Sequence, residues 1–134
     1  MARQSSQPDC EIWRRWRQLV NMSASELERF SQSEEGREAG LSKSQAQGQG
    51  IKSGRTSAQW LLKMIPTGTS FGRAVSEWTP EMWRWCRRQV SFISRMRGNK
   101  GKLYESDGSK TRKHTSLLIW GHNPKKPLRK VPSC

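Results

Sequence analysis

The chain has little from which to build a core and few of the residues from which active sites are made. Only 32% of its 134 residues are hydrophobic, and the mean hydropathy is −0.92. A chain of this size buries a modest share of its surface, so each apolar residue carries much of the stability. No stretch approaches the ~20 apolar residues that span a bilayer. No hydrophobic run follows residues 1–8, so no secretory leader is expected and the cytoplasm is the default location, nucleoid or virion association included. The three cysteines, Cys10, Cys86 and Cys134, are far apart and fit neither a disulfide framework nor a zinc ribbon. His114 and His122 have no cysteine at ligand spacing, so neither a metal nor a cofactor is expected. The acidic residues number 11 and gather as Glu26, Glu28, Glu34, Glu35 and Glu38, with no His or Asp among them. Paired carboxylates for a metal, or a nucleophile with a base and an orienting acid, are missing, and the chain reads as no enzyme.

What is present is positive charge and tryptophan. Lys and Arg number 25, the net charge is +14 and the pI is about 10.7. Charge of this size speaks of partners and solubility, not of fold. Polyanions are the first candidates and an anionic membrane surface the second. Seven Trp against three Phe and one Tyr put much of the buriable area into indoles, whose ring N–H groups need partners when buried. Trp13 and Trp16 read as core, while Trp83 and Trp85 could widen the core or stack on unpaired bases.

Charge is uneven: residues 23–41 are net negative and every other stretch is net positive. Residues 9–20 carry Ile12, Trp13, Trp16, Leu19 and Val20 at helical spacing, with Asp9 as N-cap. Ser23 and Glu26 make a capping box for a helix over about 24–33, and Met22 can staple onto Leu27. From Gly36 to Gly54 the composition turns to Gly, Ser, Gln and Lys, a flexible linker. Ala58, Leu61, Leu62 and Ile65 share a face of a helix over 56–65 that Pro66 ends. Residues 66–78 read as irregular. Leu103-Tyr104, Asp107-Gly108 and the apolar run 115–120 permit either a hairpin or a last helical turn.

Residues 79–97 are the most informative segment. Thr79 as N-cap, Pro80 at the first helical position and Glu81 in the first turn open a helix that Gly98-Asn99 closes. Met82, Cys86, Val90 and Ile93 line one side; Arg84, Arg88 and Arg95 line the other, with Arg87 at its edge. A guanidinium row suits phosphates, because each planar fork donates in pairs to tetrahedral oxyanions. Lys110, Arg112, Lys113, Lys125 and Lys126, within a C-terminal basic segment, read as further nonspecific phosphate contacts. Lys43, Lys52 and Arg55 form a candidate second clamp around the linker.

Four short blocks occur here in order: residues 20–27 (VNMSASEL), 53–55 (SGR), 87–95 (RRQVSFISR) and 120–124 (WGHNP). Together they resemble a family of small basic bacterial and phage proteins of unknown function, known only by a DNA-binding label. The resemblance spans most of residues 12–124 and implies a nucleic-acid context.

The sequence therefore predicts a mainly α fold, a small domain of four or so helices. Residues 1–8 are expected to be disordered, 9–124 to form the domain with its linker at about 36–54, and 125–134 to be an extended basic tail. The expected function is non-enzymatic nucleic-acid binding, double-stranded DNA before RNA, through phosphate contacts and with no membrane partner. Two rivals stand beside it. One is a structural or assembly subunit of a nucleoprotein or phage particle, with self-association; the other is a small inhibitor docking on an acidic protein surface.

Overall fold

The computed structural model describes residues 7–39 and 54–131, with side chains from Asp9 onward in the first stretch. The fold is mainly α, with seven helices among the described residues. They are α1 (Gln7–Leu19), α2 (Ala24–Gln32), α3 (Glu34–Glu38), α4 (Gly54–Thr67), α5 (Phe71–Glu77), α6 (Pro80–Gly98) and α7 (Arg112–Ile119). Lys43, Lys52 and most of the expected linker lie outside the described residues.

The local signals account for most helix ends. Ser23 Oγ accepts from Glu26 N at 3.1 Å while Glu26 Oε1 accepts from Ser23 N at 3.2 Å, so the capping box forms at α2. Ser33 closes α2 and opens α3, where its hydroxyl accepts from Gly36 N at 3.1 Å. This second use of one serine carries helix to Glu38, past the point where the linker was expected to start. In α4 the helix runs one residue beyond Pro66, because Thr67 Oγ1 donates to the carbonyls of Lys63 and Met64 (both 3.2 Å). Residues expected to be irregular contain α5, capped by Ser70 Oγ on Arg73 N at 3.3 Å. The final segment resolves the hairpin-or-helix alternative by making both. Gly108, at φ 88°, turns the chain so that Tyr104 and Lys110 bridge, and Thr111 then caps α7.

The core is a chain of indoles. Trp16 meets Trp78 edge-on at 5.0 Å between centroids, and Trp78 meets Trp83 at 4.8 Å. Trp120 stacks on Phe92 at 4.3 Å. Trp13, Trp16, Trp78, Trp83, Trp85 and Trp120 are all buried, and Trp60 is half-buried beside Trp85. Their N–H groups find acceptors within the fold: Trp13 on Gly68 O (3.2 Å), Trp78 on Thr67 Oγ1 (3.0 Å) and Trp16 on Gln89 Oε1 (2.8 Å). Gln89 turns its amide nitrogen to Ser57 Oγ at 3.2 Å, so one polar network joins α1, α4 and α6 inside the core. Among the described residues every buried side-chain nitrogen and oxygen has a partner.

The WGHNP block fastens the end of α1. His122 is buried and its Nδ1 lies 2.6 Å from Leu19 O. Asn123 N donates to Asn21 Oδ1 at 2.7 Å, and Asn21 Nδ2 donates back to Asn123 O at 3.0 Å. Gly121 sits at φ 89° with Leu61 and Val20 packed where a Cβ would stand. A turn at 124–126, closed by Lys126 N donating to Asn123 O at 3.1 Å, departs from the extended tail expected there; residues 127–131 then run along α1, with Leu128 and Val131 packed against the core. Cys10 is disulfide-bonded, a bridge the spacing did not announce, while Cys86 is a free buried thiol whose pKa burial pushes up.

Candidate nucleic-acid interface

Helix α6 positions the arginine row. Its start is fixed by Thr79, whose Oγ1 accepts from Met82 N at 3.2 Å, and by Pro80 in the first turn. α1 packs chiefly against it, and α4 and α7 also touch it. Trp83, Trp85, Cys86, Gln89, Val90 and Ile93 are buried, a wider face than the stripe read from the sequence. Arg84, Arg87, Arg88 and Arg95 all remain exposed. They fall within about a third of the helix circumference and extend over about 16 Å of its axis. That length matches the rise of about five base pairs of duplex DNA.

The four guanidiniums are not alike. Arg84 pairs with Glu81 one turn before it, yet its side chain stays 59% exposed. Arg87 reaches Asp9 of α1 at 3.4 Å and is 51% exposed, whereas that carboxylate is only 7% exposed. Arg88 lies over the face of Trp85, 5.0 Å from the ring centroid. Arg95 donates from Nε to Ser91 O at 3.3 Å. Arg97, which the sequence reading passed over, is exposed at the end of the same helix. Four guanidiniums therefore meet two carboxylates on this strip, and Arg97 stands on the other side of the helix. The ion pairs thin the row without closing it: the Arg84 pair is exposed and contributes only about 0–1 kcal/mol, and both paired arginines keep about half or more of their side chain in solvent, where a phosphate can share the donors.

The lysines of the C-terminal half are distributed differently. Lys110 holds Glu35 of α3 at 3.2 Å, and Lys126 holds Glu26 of α2 at 2.7 Å. The latter contact, with the capping bonds, holds the Glu26 carboxyl below its usual range. Lys113 donates to the carbonyls of Asn99 and of Gly101, the second at 3.1 Å, and Lys125 lies over the Tyr104 ring at 5.1 Å. Arg112 is exposed. Arg55 donates to Arg37 O, beside a cleft of about 230 Å³ lined by Ser31, Ala58, Gln59 and Leu62. Lys110 and Lys126 thus engage the acidic helices α2 and α3, while the strip on α6 stands apart from them.

Neither histidine faces solvent. His114 and His122 are buried with Nδ1 on the carbonyls of Leu103 (3.0 Å) and Leu19. Loss of solvent pushes both pKa values down, although those carbonyls pull the other way. Among the described residues no three His, Cys, Asp or Glu side chains gather as a metal site. No described helix is long and apolar enough to cross a membrane. Sequence reasoning missed Gln89 as a core residue, although it stands three residues from Cys86 and four from Ile93 on the apolar side. No family model matches the chain, and no curated protein or solved structure matches it.

Proposed function

We propose that the protein binds nucleic acid without catalysing a reaction on it, through phosphate contacts from the exposed arginines of α6. The observation that carries this reading is the placement of Arg84, Arg88 and Arg95 on one solvent-facing strip, where the Arg84–Glu81 pair leaves the arginine side chain 59% exposed. Such a strip supplies positioning contacts and no base code, so binding is expected to follow backbone shape and charge.

Duplex DNA is favoured over single strands by the fate of the indoles. Unpaired bases are held by aromatic platforms worth about 1–3 kcal/mol each. Six of the seven Trp are buried, and Tyr104, at 39%, is the exposed large hydrophobic among the described residues, covered on one face by Lys125. The short blocks that resemble DNA-labelled proteins point the same way. Titration of labelled duplex DNA, single-stranded DNA and RNA at one moderate salt concentration tests the preference. Tightest binding to duplex DNA supports the reading, and a clear preference for single strands contradicts it.

A further inference from the structure

Helices α2, α3 and α4 together line the cleft of about 230 Å³. Arg55, Ala58, Gln59 and Leu62 recur at three- and four-residue intervals and so share one face of α4. Ser31 comes from the last turn of α2, and Arg37 from α3, which follows after the single residue Ser33. Ala58 is buried and Leu62 half-buried, whereas Arg37, Arg55 and Gln59 are exposed. The apolar pair is therefore the floor and the polar groups are the rim. Arg55 Nη2 donates to the Arg37 carbonyl, which ties the two cationic residues of the rim together. That bond uses one of the N–H donors of Arg55 and none of those on the Arg37 side chain. Among the described residues no carboxylate pairs with either guanidinium. The exposed acids of α2 and α3, Glu28, Glu34, Glu35 and Glu38, are not among the lining residues. Ser31 Oγ donates to Glu28 O at 2.9 Å, so toward the cleft its oxygen acts as an acceptor.

We infer that this cleft is a binding site for a phosphate monoester carried on a small apolar body. Charge selects the head group. Two forked cations, with no carboxylate lining the cleft beside them, match the charge of about −1.5 to −2 on a phosphomonoester at neutral pH. A carboxylate brings a single charge. The volume selects the body: it lies below the range of about 300–1,000 Å³ that holds drug-sized ligands, so the occupant is small. Its apolar part covers Ala58 and Leu62, and the Gln59 amide offers both a donor and an acceptor to a polar substituent. Of the second clamp expected from the sequence, Arg55 is the described member, and Arg37 is the cation that shares its cleft. A free phosphorylated compound and the terminal phosphate of a nucleic-acid strand present the same group. The cleft shares no residue with the α6 strip, so the inference stands or falls independently of the function proposed above.

Calorimetric titration of the full chain with phenyl phosphate tests it. Wild type and the α6 variant Arg84/Arg88/Arg95→Ala should both bind the ester saturably. Inorganic phosphate should bind each of them more weakly, because it leaves the apolar floor uncovered. Arg37→Gln and Arg55→Gln should each bind phenyl phosphate at least about tenfold more weakly, the loss that one charged hydrogen bond represents. Arg37→Gln removes an exposed side chain and keeps the carbonyl that Arg55 holds, so an unchanged circular dichroism spectrum is expected. Three results overturn the inference: no saturable binding by wild type, one affinity shared by wild type and both single variants, or inorganic phosphate binding as tightly as the ester. Competition on the α6 variant separates the sources. Displacement of phenyl phosphate by a short duplex with 5′ phosphates, but not by the same duplex with 5′ hydroxyls, assigns the site to a strand end. Displacement by neither assigns it to a free phosphorylated compound. Equal displacement by both contradicts the need for a monoester.

Discussion

Replacing Gln89 with Leu removes the one side chain that bonds α1, α4 and α6 to each other inside the core. Gln89 accepts from Trp16 Nε1 at 2.8 Å and donates to Ser57 Oγ at 3.2 Å, and all three residues are fully buried. Leu fills a similar volume but leaves the indole N–H and the serine hydroxyl without partners. Each orphaned group costs about 1–3 kcal/mol, and the added apolar surface returns about 1 kcal/mol. The net loss is about 1–5 kcal/mol, and the middle of that range lowers the thermal midpoint of a domain of this size by about 10 °C. Circular dichroism on heating and in urea measures it. A second variant makes the argument quantitative: Trp16→Phe also orphans one end of the network, and the double variant should be less destabilised than the sum by at least about 1 kcal/mol. Strict additivity, or a Gln89→Leu variant as stable as wild type, would show that the three helices do not depend on this bond.

Three other outcomes follow from the same structure. Gly108 and Gly121 share a positive φ, 88° and 89°, but only at Gly121 would a Cβ meet packed atoms, 2.9 Å from Leu61 Cδ1. Gly108→Ala should therefore cost about 1 kcal/mol and Gly121→Ala at least about 2 kcal/mol in urea unfolding; equal costs would refute the packing argument. The two buried histidines make stability depend on pH: their pKa values are lowered in the folded chain, so the unfolded chain binds more protons just below about pH 6.5. Stability is full above that pH and declines as pH falls toward the folded values. Urea midpoints at neutral and mildly acidic pH check it, and a midpoint that rises on acidification contradicts it. Lys110→Ala and Lys126→Ala break exposed pairs with Glu35 and Glu26, so each should cost under about 1 kcal/mol of stability. They should also weaken duplex binding less than Arg88→Ala does.

How far the sequence reveals this fold depends on the range over which its signals act. The α6 helix is legible because Thr79, Pro80 and Gly98 act within one turn of their own positions. Its buried face is only half legible. The spacing of Met82, Cys86, Val90 and Ile93 marks one stripe, but helices pack on more than one side of it, so Trp83 and Trp85 go inward and Gln89 is enclosed with them. That burial leaves these two indoles no place as base-stacking platforms. The α5 helix escapes notice because Ala74 is its one fully buried side chain and two glycines flank or enter it. The arginine row is visible from periodicity alone. Its partners are not: Asp9 lies 78 residues before Arg87, and Glu35 lies 75 before Lys110. The residues 123–131 show no helical or strand pattern, and what holds them is a set of contacts to α1 made by Asn21, Gln18 and Arg14, which only the closed fold brings into reach.

The central claim, that the α6 arginines meet phosphates, is tested most directly by the salt dependence of duplex DNA binding. Each neutralised phosphate contributes about 0.9 to the slope of log affinity against log salt. Arg84/Arg88/Arg95→Ala should bind more weakly, with a slope shallower by about 2 to 3 and an unchanged circular dichroism spectrum. The same affinity and slope as wild type would remove α6 from the binding surface.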